Sequence, residues 1–353
     1  MRKGFPHTPA SQVALLSSRS APDVSRVFST VALVALAIVS GLLGCEASLD
    51  LRKVEAERSE ATVRTDQFQA AEGDAHVTIV AGSHGIVLTS RDGAATWQRA
   101  VLPNRPPLID LAGCSNGTWL ALSFDRAIWV STDHAATWSR RALPSEETPV
   151  AVACDSDGDY WVVGSFSLVL TSADGGRTWR DLSFPEDQTL TSIHFLIDET
   201  AIITAEFGGL YRSDDGGETW ALGDPIPNEF YPQASLFLDA DHGWVAGLQG
   251  TILRTKDGGR SWQREVTDTQ APLYDLRTLG SRYVAVGDYG TVLTSNGDGK
   301  WNSAPVPMET SAFLAASLPL IDGNLLIVGG NGTVEHAPRK ALMGSPHHGS
   351  EGS

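Results

Sequence analysis

A tryptophan preceded by a short Ser/Thr-x-Asp-Gly-Gly-like turn recurs six times, at Trp97, Trp138, Trp179, Trp220, Trp262 and Trp301. The intervals are 41, 41, 41, 42 and 39 residues. A fixed period near 40 means that one supersecondary unit is stacked repeatedly, each copy burying the apolar face of the next. Most of the prominent residues are then framework rather than chemistry.

Aligned on the tryptophans, the units read VAGSHGIVLTSRDGAATW, LALSFDRAIWVSTDHAATW, VVGSFSLVLTSADGGRTW, ITAEFGGLYRSDDGGETW, VAGLQGTILRTKDGGRSW and VAVGDYGTVLTSNGDGKW. Short apolar runs such as LIDLAGC and PVAVAC precede them. Each unit therefore holds four short strands rich in Val, Ile, Leu and Thr, separated by glycine-bearing turns, which is the pattern of a propeller blade. No stretch of the region sustains a 3.6-residue period. A truncated seventh unit, LLIVGGNGTVEHAP, starts at Leu325 and lacks the Asp-turn and the tryptophan. The expectation is an all-β, seven-bladed β-propeller of four-stranded blades, with the N-terminal segment Ala61–Thr65 supplying the missing strand and removing the free sheet edges. A six-bladed ring with a frayed C-terminal hairpin is the alternative.

The turn has a mechanical rationale. Asp92, Asp133, Asp174, Asp215 and Asp257 can accept backbone N–H bonds from two or three residues on, closing an Asx-type turn. The tryptophan that follows can fill the wedge between neighbouring blades. The sixth unit departs from this, with Asn296-Gly297-Asp298-Gly299 ahead of Trp301.

The motif S-x-D-G-G-x-T-W resembles the Asp-box, or BNR repeat, of sialidases and related propellers. The fuller pattern, V-G-x-x-G-x-(I/V)-L-x-(S/T)-x-D-G-G-x-(T/S)-W, is similar to that of the photosystem II stability/assembly-factor family, across about residues 60–338. That resemblance implies a scaffold that engages a membrane protein through a basic, arginine-rich face.

Before the repeats, Arg2, Lys3, Arg19 and Arg26 precede an uncharged run, VFSTVALVALAIVSGLL, from Val27 to Leu43. The run has the length of a signal-peptide core and is short for a membrane span. It ends in Leu42-Leu43-Gly44-Cys45, which resembles the lipobox of bacterial lipoproteins and implies lipidation at Cys45; an uncleaved signal anchor is the alternative. The expected layout is a lipoprotein signal peptide over 1–45, a polar tether over 46–59, the propeller over 60–338 and a disordered tail over 339–353. The propeller then faces the periplasm, and Glu46 after the cysteine leans toward the outer membrane. The chain carries 26 basic and 42 acidic residues, net −16, and four of the basic ones sit in the leader. Such a charge repels phosphate backbones and excludes nucleic acid as a partner.

Cys114 and Cys154 occupy equivalent places in adjacent units, 40 residues apart. Inner strands of neighbouring blades converge, so a disulfide is possible in an oxidising compartment; two small buried side chains are the other reading.

Catalytic signatures are missing. There is no H-E-x-x-H, P-loop, G-x-S-x-G or Cys-x-x-Cys. A sialidase-like site would need a tyrosine paired with a carboxylate, for which Tyr211 with Glu206 and Tyr289 with Asp288 are the candidates. Tyr211, however, takes the strand position of Leu88, Leu170 and Leu253 in sister units, and no arginine triad accompanies it. Asp155-Ser156-Asp157-Gly158-Asp159 has the opening spacing of a calcium loop, but Phe166 stands where the twelfth-position glutamate belongs. An acidic turn is the better reading. His347 and His348 lack further spaced ligands. No catalytic residue, metal or cofactor is assigned.

Turns between the second and third strands share a face with the connections between blades, opposite the Asp-turns. Their tips align as His84, Asp125, Phe166, Phe207, Gln249, Tyr289 and Asn331, usually followed by glycine. Constant backbone with variable side chains is how a repeat scaffold displays a partner surface. Arg126 beside its tip, and Phe230 and Tyr231 on the longest connection, join the candidate surface; alternatively the rings simply close the channel mouth. This face departs from the family's basic one, since Glu146, Glu147, Glu186, Asp187, Asp224 and Glu229 outweigh Arg105 and Arg126. The expected function is a non-catalytic, lipid-anchored scaffold that docks a membrane or periplasmic protein of an envelope complex. A carbohydrate-binding or glycoside-hydrolysing propeller is the alternative.

Overall fold

The computed structural model describes residues 60–308 and 311–343. Seven antiparallel sheets follow one another in chain order, each beginning on an inner strand: Phe68–Gly73, Leu108–Gly113, Pro149–Cys154, Leu190–Phe195, Ala234–Phe237, Leu273–Leu279 and Leu314–Pro319. Each inner strand lies beside those of the adjacent blades, and the last lies beside the first. The ring is closed. This is the seven-bladed propeller that the period predicts; the six-bladed alternative is set aside.

Burial explains the strand order within a blade. The second strands are the most apolar, and Thr78–Gly82, Trp119–Ser123, Tyr160–Gly164, Ala201–Ala205 and Leu325–Gly329 are buried throughout. Outer strands such as Gln98–Val101 and Arg180–Asp181 are exposed and polar. The core is therefore not one mass but a set of clusters between blades. Trp138 packs against residues of blades 1 and 2, Trp179 against blades 2 and 3, and Trp220 against blades 3 and 4. Trp97 does the same at the closing seam, among Leu318, Leu326 and Val328 of blade 7. Each indole wedges its own blade against the preceding one.

The Asp-turn reaches one residue further than a simple Asx closure. The Asp92 carboxylate accepts both the backbone N–H (2.9 Å) and the hydroxyl (2.6 Å) of Thr96, four residues on. Ser90 Oγ donates to Asp92 (2.7 Å) and accepts the Ala94 N–H (2.9 Å). The same bonds recur around Asp133, Asp174, Asp215 and Asp257. These donors favour the ionised form. They hold Asp92, Asp133, Asp174 and Asp215 down to about 2, with the threonine bonds the largest causes.

Blade 6 replaces that turn with a different clamp. Trp301 is wholly buried, and its Nε1 donates to Glu265 Oε2 (2.5 Å), which also accepts Trp244 Nε1 (3.1 Å). The Arg254 guanidinium stacks over Trp244 at 4.6 Å and lies 3.7 Å from the same carboxylate. Val266–Thr267 then adds a short parallel edge to the outer strand Lys300–Ser303.

Closure differs from the expected form. Among the described residues blade 7 has three strands, and Ala61–Thr65 is not a strand. The buried Asp66 carboxylate accepts the Val63 N–H (2.9 Å) and a two-pronged bond from Arg99 (2.6 and 2.9 Å), folding the segment into a turn. The Asp66 backbone carbonyl accepts the Gly332 N–H at the tip of blade 7 (2.9 Å), so the segment staples blade 1 to blade 7. The first residues of the expected tail, from residue 339, are ordered, and 344–353 lie outside the described residues. Arg339–Leu342 forms a helical turn whose Leu342 is fully buried with Leu325 and Ala337, near the seam that has no Asp-turn tryptophan. The leader, Cys45, the tether over 46–59, and His347 and His348 lie outside the described residues.

Candidate docking face

Every tip between second and third strands is pinned to a neighbouring connection. Leu102 N–H donates to Gly85 O, Phe124 N–H to Pro107 O, Gly208 N–H to Phe230 O, and Gly290 N–H to Ala312 O. Tips and connections thus share one face, and the Asp-turns occupy the other. The backbone at the tips is unusual. His84, Phe166, Phe207, Gln249, Tyr289 and Asn331 all sit at φ of 53–58°. In each case the next residue is also left-handed, Gly85, Ser167, Gly208, Gly250, Gly290 and Gly332. Glycine suits the second position because a side chain there would strike backbone, as at Gly208 against Ile226 O (2.2 Å). The first position carries a large side chain in a conformation that costs a non-glycine residue about 1–2 kcal/mol. Held strain of this kind clusters at recognition sites.

Blade 2 departs from the others. Its left-handed residue is Arg126, not Asp125, and Phe124 is exposed beside them. Arg126 bonds Glu146 through both its carbonyl and its carboxylate (2.9 Å each), and Asp125 lies 3.5 Å from Arg140. The rings at the tips point outward. Phe166, Phe207 and Tyr289 are 58%, 59% and 72% exposed, so they do not close the channel. Leu248 and Tyr231 are exposed as well. Phe230 is not; it packs against Ile226, Val245 and Leu253, and its ring would meet a side chain at Gly247. Sequence reading missed Phe124 and Leu248 because neither falls on the aligned tip position.

At the centre of this face a cavity of about 460 Å³ opens, lined by Gln69, Gln233, Tyr274, Asp288 and Phe313. Inner strands below it bring together polar groups that are far apart in sequence. Arg277 lies 2.8 Å from Glu72 and 3.3 Å from Asp275, and Asp275 accepts the N–H (2.8 Å) and hydroxyl (2.7 Å) of Ser317. These charges raise the Arg277 guanidinium further, Glu72 most of all. Asp110, which accepts the N–H groups of Val152 and Leu111 (2.9 Å each), is pushed up to about 7 by burial. The charge of Glu72 adds to that shift, and the two backbone bonds and Arg277 oppose it. His194 bonds Ser235 (2.8 Å), and burial lowers it to about 4. At the other end of the channel, Cys114 and Cys154 are joined in a disulfide with Cα atoms 5.3 Å apart.

The imagined tyrosine–carboxylate pairs do not form. Tyr211 Oη donates to Gln188 (2.8 Å) and its ring stacks on Phe184 (4.2 Å), while Glu206 accepts the Thr189 N–H (2.7 Å). Asp288 accepts the backbone N–H of Tyr289 (2.9 Å), and the Tyr289 ring projects away into solvent. The Asp155 carboxylate is occupied by its own turn, accepting N–H bonds from Asp157 and Asp159 and from the Trp161 indole (3.0, 2.9 and 2.8 Å).

Residues 130–301 match the family model described as photosynthesis system II assembly factor YCF48. The chain is an Asp-box propeller, and over that stretch, a little under half of its length, it resembles the photosystem II assembly-factor family. YCF48 from Cyanidioschyzon merolae superposes with a TM-score of 0.64 at 16% identity, over 78% of this chain and 97% of that one. YCF48 bound to D1 peptide gives 0.64 at 15% identity, over 79% and 93%. A virginiamycin B lyase from Staphylococcus aureus, an inactive variant with quinupristin, gives 0.67 at 14% identity, over 77% and 94%, a likeness of fold alone. No curated protein matches the sequence. As the sequence implies, the connections on the tip face carry exposed acidic groups, Glu186, Asp187, Asp224 and Glu229.

Proposed function

We propose that the chain is a non-catalytic docking scaffold that assists assembly or stability of a membrane or periplasmic protein complex. In this reading Cys45 carries a lipid anchor, the polar stretch over 46–59 sets its reach, and the tip face meets the client. One observation carries the proposal. The tips hold Phe166, Phe207 and Tyr289 outward on a repeated left-handed backbone, with large rings that internal packing does not use. Exposed aromatic rings on a rigid frame are the usual anchors of protein interfaces. The Cys114–Cys154 disulfide supports an oxidising compartment. The D1 peptide on a propeller of similar fold supports peptide docking as the mode.

Site-specific photocrosslinking in the native host tests this. A photoreactive residue at Phe207 should trap one specific envelope protein, and the same residue at the exposed Lys256 on the Asp-turn face should not. Equal trapping at both positions, or none at Phe207, would refute the reading. Glycan arrays and fluorogenic glycosides should stay blank; a signal there would favour the carbohydrate alternative.

A further inference from the structure

We infer that the segment docked on the tip face is cationic and apolar, with Lys or Arg side chains interleaved with aromatic or aliphatic ones, and that blades 3 to 5 seat it. The inference rests on the docking reading above and adds the chemistry of the partner. Phe166 and Phe207 project from the tips of blades 3 and 4, and Leu248 from the tip of blade 5. The connections between these tips carry Glu186 and Asp187, then Asp224 and Glu229, all exposed. None of these four carboxylates forms a salt bridge or hydrogen bond among the described residues. Arg126 is neutralised by Glu146 and Arg277 in the channel by Glu72 and Asp275, and the exposed Arg105 and Arg64 stand at the tips of blades 1 and 7, outside this sector.

The sector therefore alternates uncompensated negative charge with exposed apolar rings. A partner that desolvates those rings must place something beside the carboxylates. A neutral or acidic segment would leave them stranded near a low-dielectric surface, whereas a basic side chain pairs them. The occupant is not a second copy of this chain, whose net charge is −16, and not an anionic bilayer, for the same reason. The rings in turn exclude a purely basic polymer as the best ligand, since it would cover apolar surface with charge.

The test uses the full-length protein in detergent and three short labelled peptides, read by fluorescence anisotropy. One alternates Lys with Leu and Phe, the second has Glu in place of Lys, and the third has Ser in place of Leu and Phe. The Lys/Leu/Phe peptide should bind, about tenfold more weakly between about 50 and 300 mM salt. The other two should bind at least about tenfold more weakly than it does at low salt. A variant with Glu186→Lys, Asp187→Lys, Asp224→Lys and Glu229→Lys should lose the basic peptide and gain the acidic one, a gain that also proves it folded. Phe166→Ala with Phe207→Ala should weaken binding about tenfold, and Asp157→Lys with Glu199→Lys on the opposite face should leave it unchanged. Equal binding of acidic and basic peptides, equal binding of the Lys/Ser peptide, or no binding at all would overturn the inference. If no peptide binds while Phe207 still crosslinks a specific partner, the charge inference falls and the docking reading stands; loss of both removes both.

Discussion

Removing the guanidinium at the channel axis should cost more than any exposed charge on this propeller. Arg277 lies 2.8 Å from Glu72 and 3.3 Å from Asp275, and its field also reaches Asp110. At an effective dielectric near 20, each close pair is worth about 4 kcal/mol. The channel moderates this, because the three side chains are 32%, 25% and 15% exposed. Breaking a buried pair by removing one partner costs about 3–5 kcal/mol, and the exposure places Arg277→Gln at the low end. At roughly 2–4 °C per kcal/mol, Tm should fall by about 6–12 °C near neutral pH. The variant leaves two carboxylates facing each other with no cation. Adding Glu72→Gln should therefore recover part of the loss, and a double-mutant cycle measures the coupling. Scanning fluorimetry is the assay. A Tm within about 2 °C of the parent, or no recovery in the double variant, would refute the argument that this ion cluster holds the inner ring together.

Other perturbations have equally definite outcomes. Asp110 titrates at about 7 in the folded protein against an ordinary 3.8, so between those values the folded state keeps a proton that the unfolded state has lost. Its contribution to stability then falls as pH rises through that window and is flat above it. The Tm of Asp110→Asn relative to the parent should accordingly move in favour of the variant as pH rises across the same window. Glu265→Leu leaves the Trp244 and Trp301 indoles and Arg254 without their shared acceptor, and should cost about 3–5 kcal/mol by chemical denaturation. Cys114→Ser opens a cross-link between residues 40 apart, and should cost about 2–4 kcal/mol under oxidising conditions, with parent and variant converging under strong reductant.

The fold was legible because a repeat states its own geometry. One period and one tryptophan written six times, with the Asp-turn at five of them and a truncated seventh unit behind, give the strand order, the place of each indole and a ring of six or seven blades. The cysteine pair was legible for the same reason, since equivalent positions in adjacent blades are neighbours in space. The channel was not. In LYDLRTL, Asp275 and Arg277 alternate with leucines as solvent-facing residues would, and Glu72 in FQAAEG has the same look. Only ring closure turns those alternate positions inward and brings Glu72 within 2.8 Å of a residue more than two hundred positions away. The clamp around Glu265 was hidden differently, because it replaces the repeat motif exactly where the alignment goes silent. Closure by Asp66 and Leu342 escaped for a related reason: a search for a missing strand does not look for a turn and a helical end.

The two faces of the ring answer to different physics, and this limits what can change on each. On the Asp-turn face the motif's Asp and its Ser or Thr hydroxyls bond one another inside the same turn, and the tryptophan couples that turn to the preceding blade. A substitution there acts on the seam and hence on the whole ring. On the tip face only the backbone is constrained. The left-handed pair of residues and its hydrogen bond to the connection fix the path, and the first side chain of the pair projects free. Phe, Tyr, Gln, His and Asn all occupy that site in one molecule, which demonstrates its tolerance. A surface so decoupled from the seams can invert its charge while the fold stays the same. That is the physical reason a propeller of this fold can carry acidic connections between outward aromatic tips where the resembled family implies a basic face, and why fold alone does not carry a client from one such propeller to another.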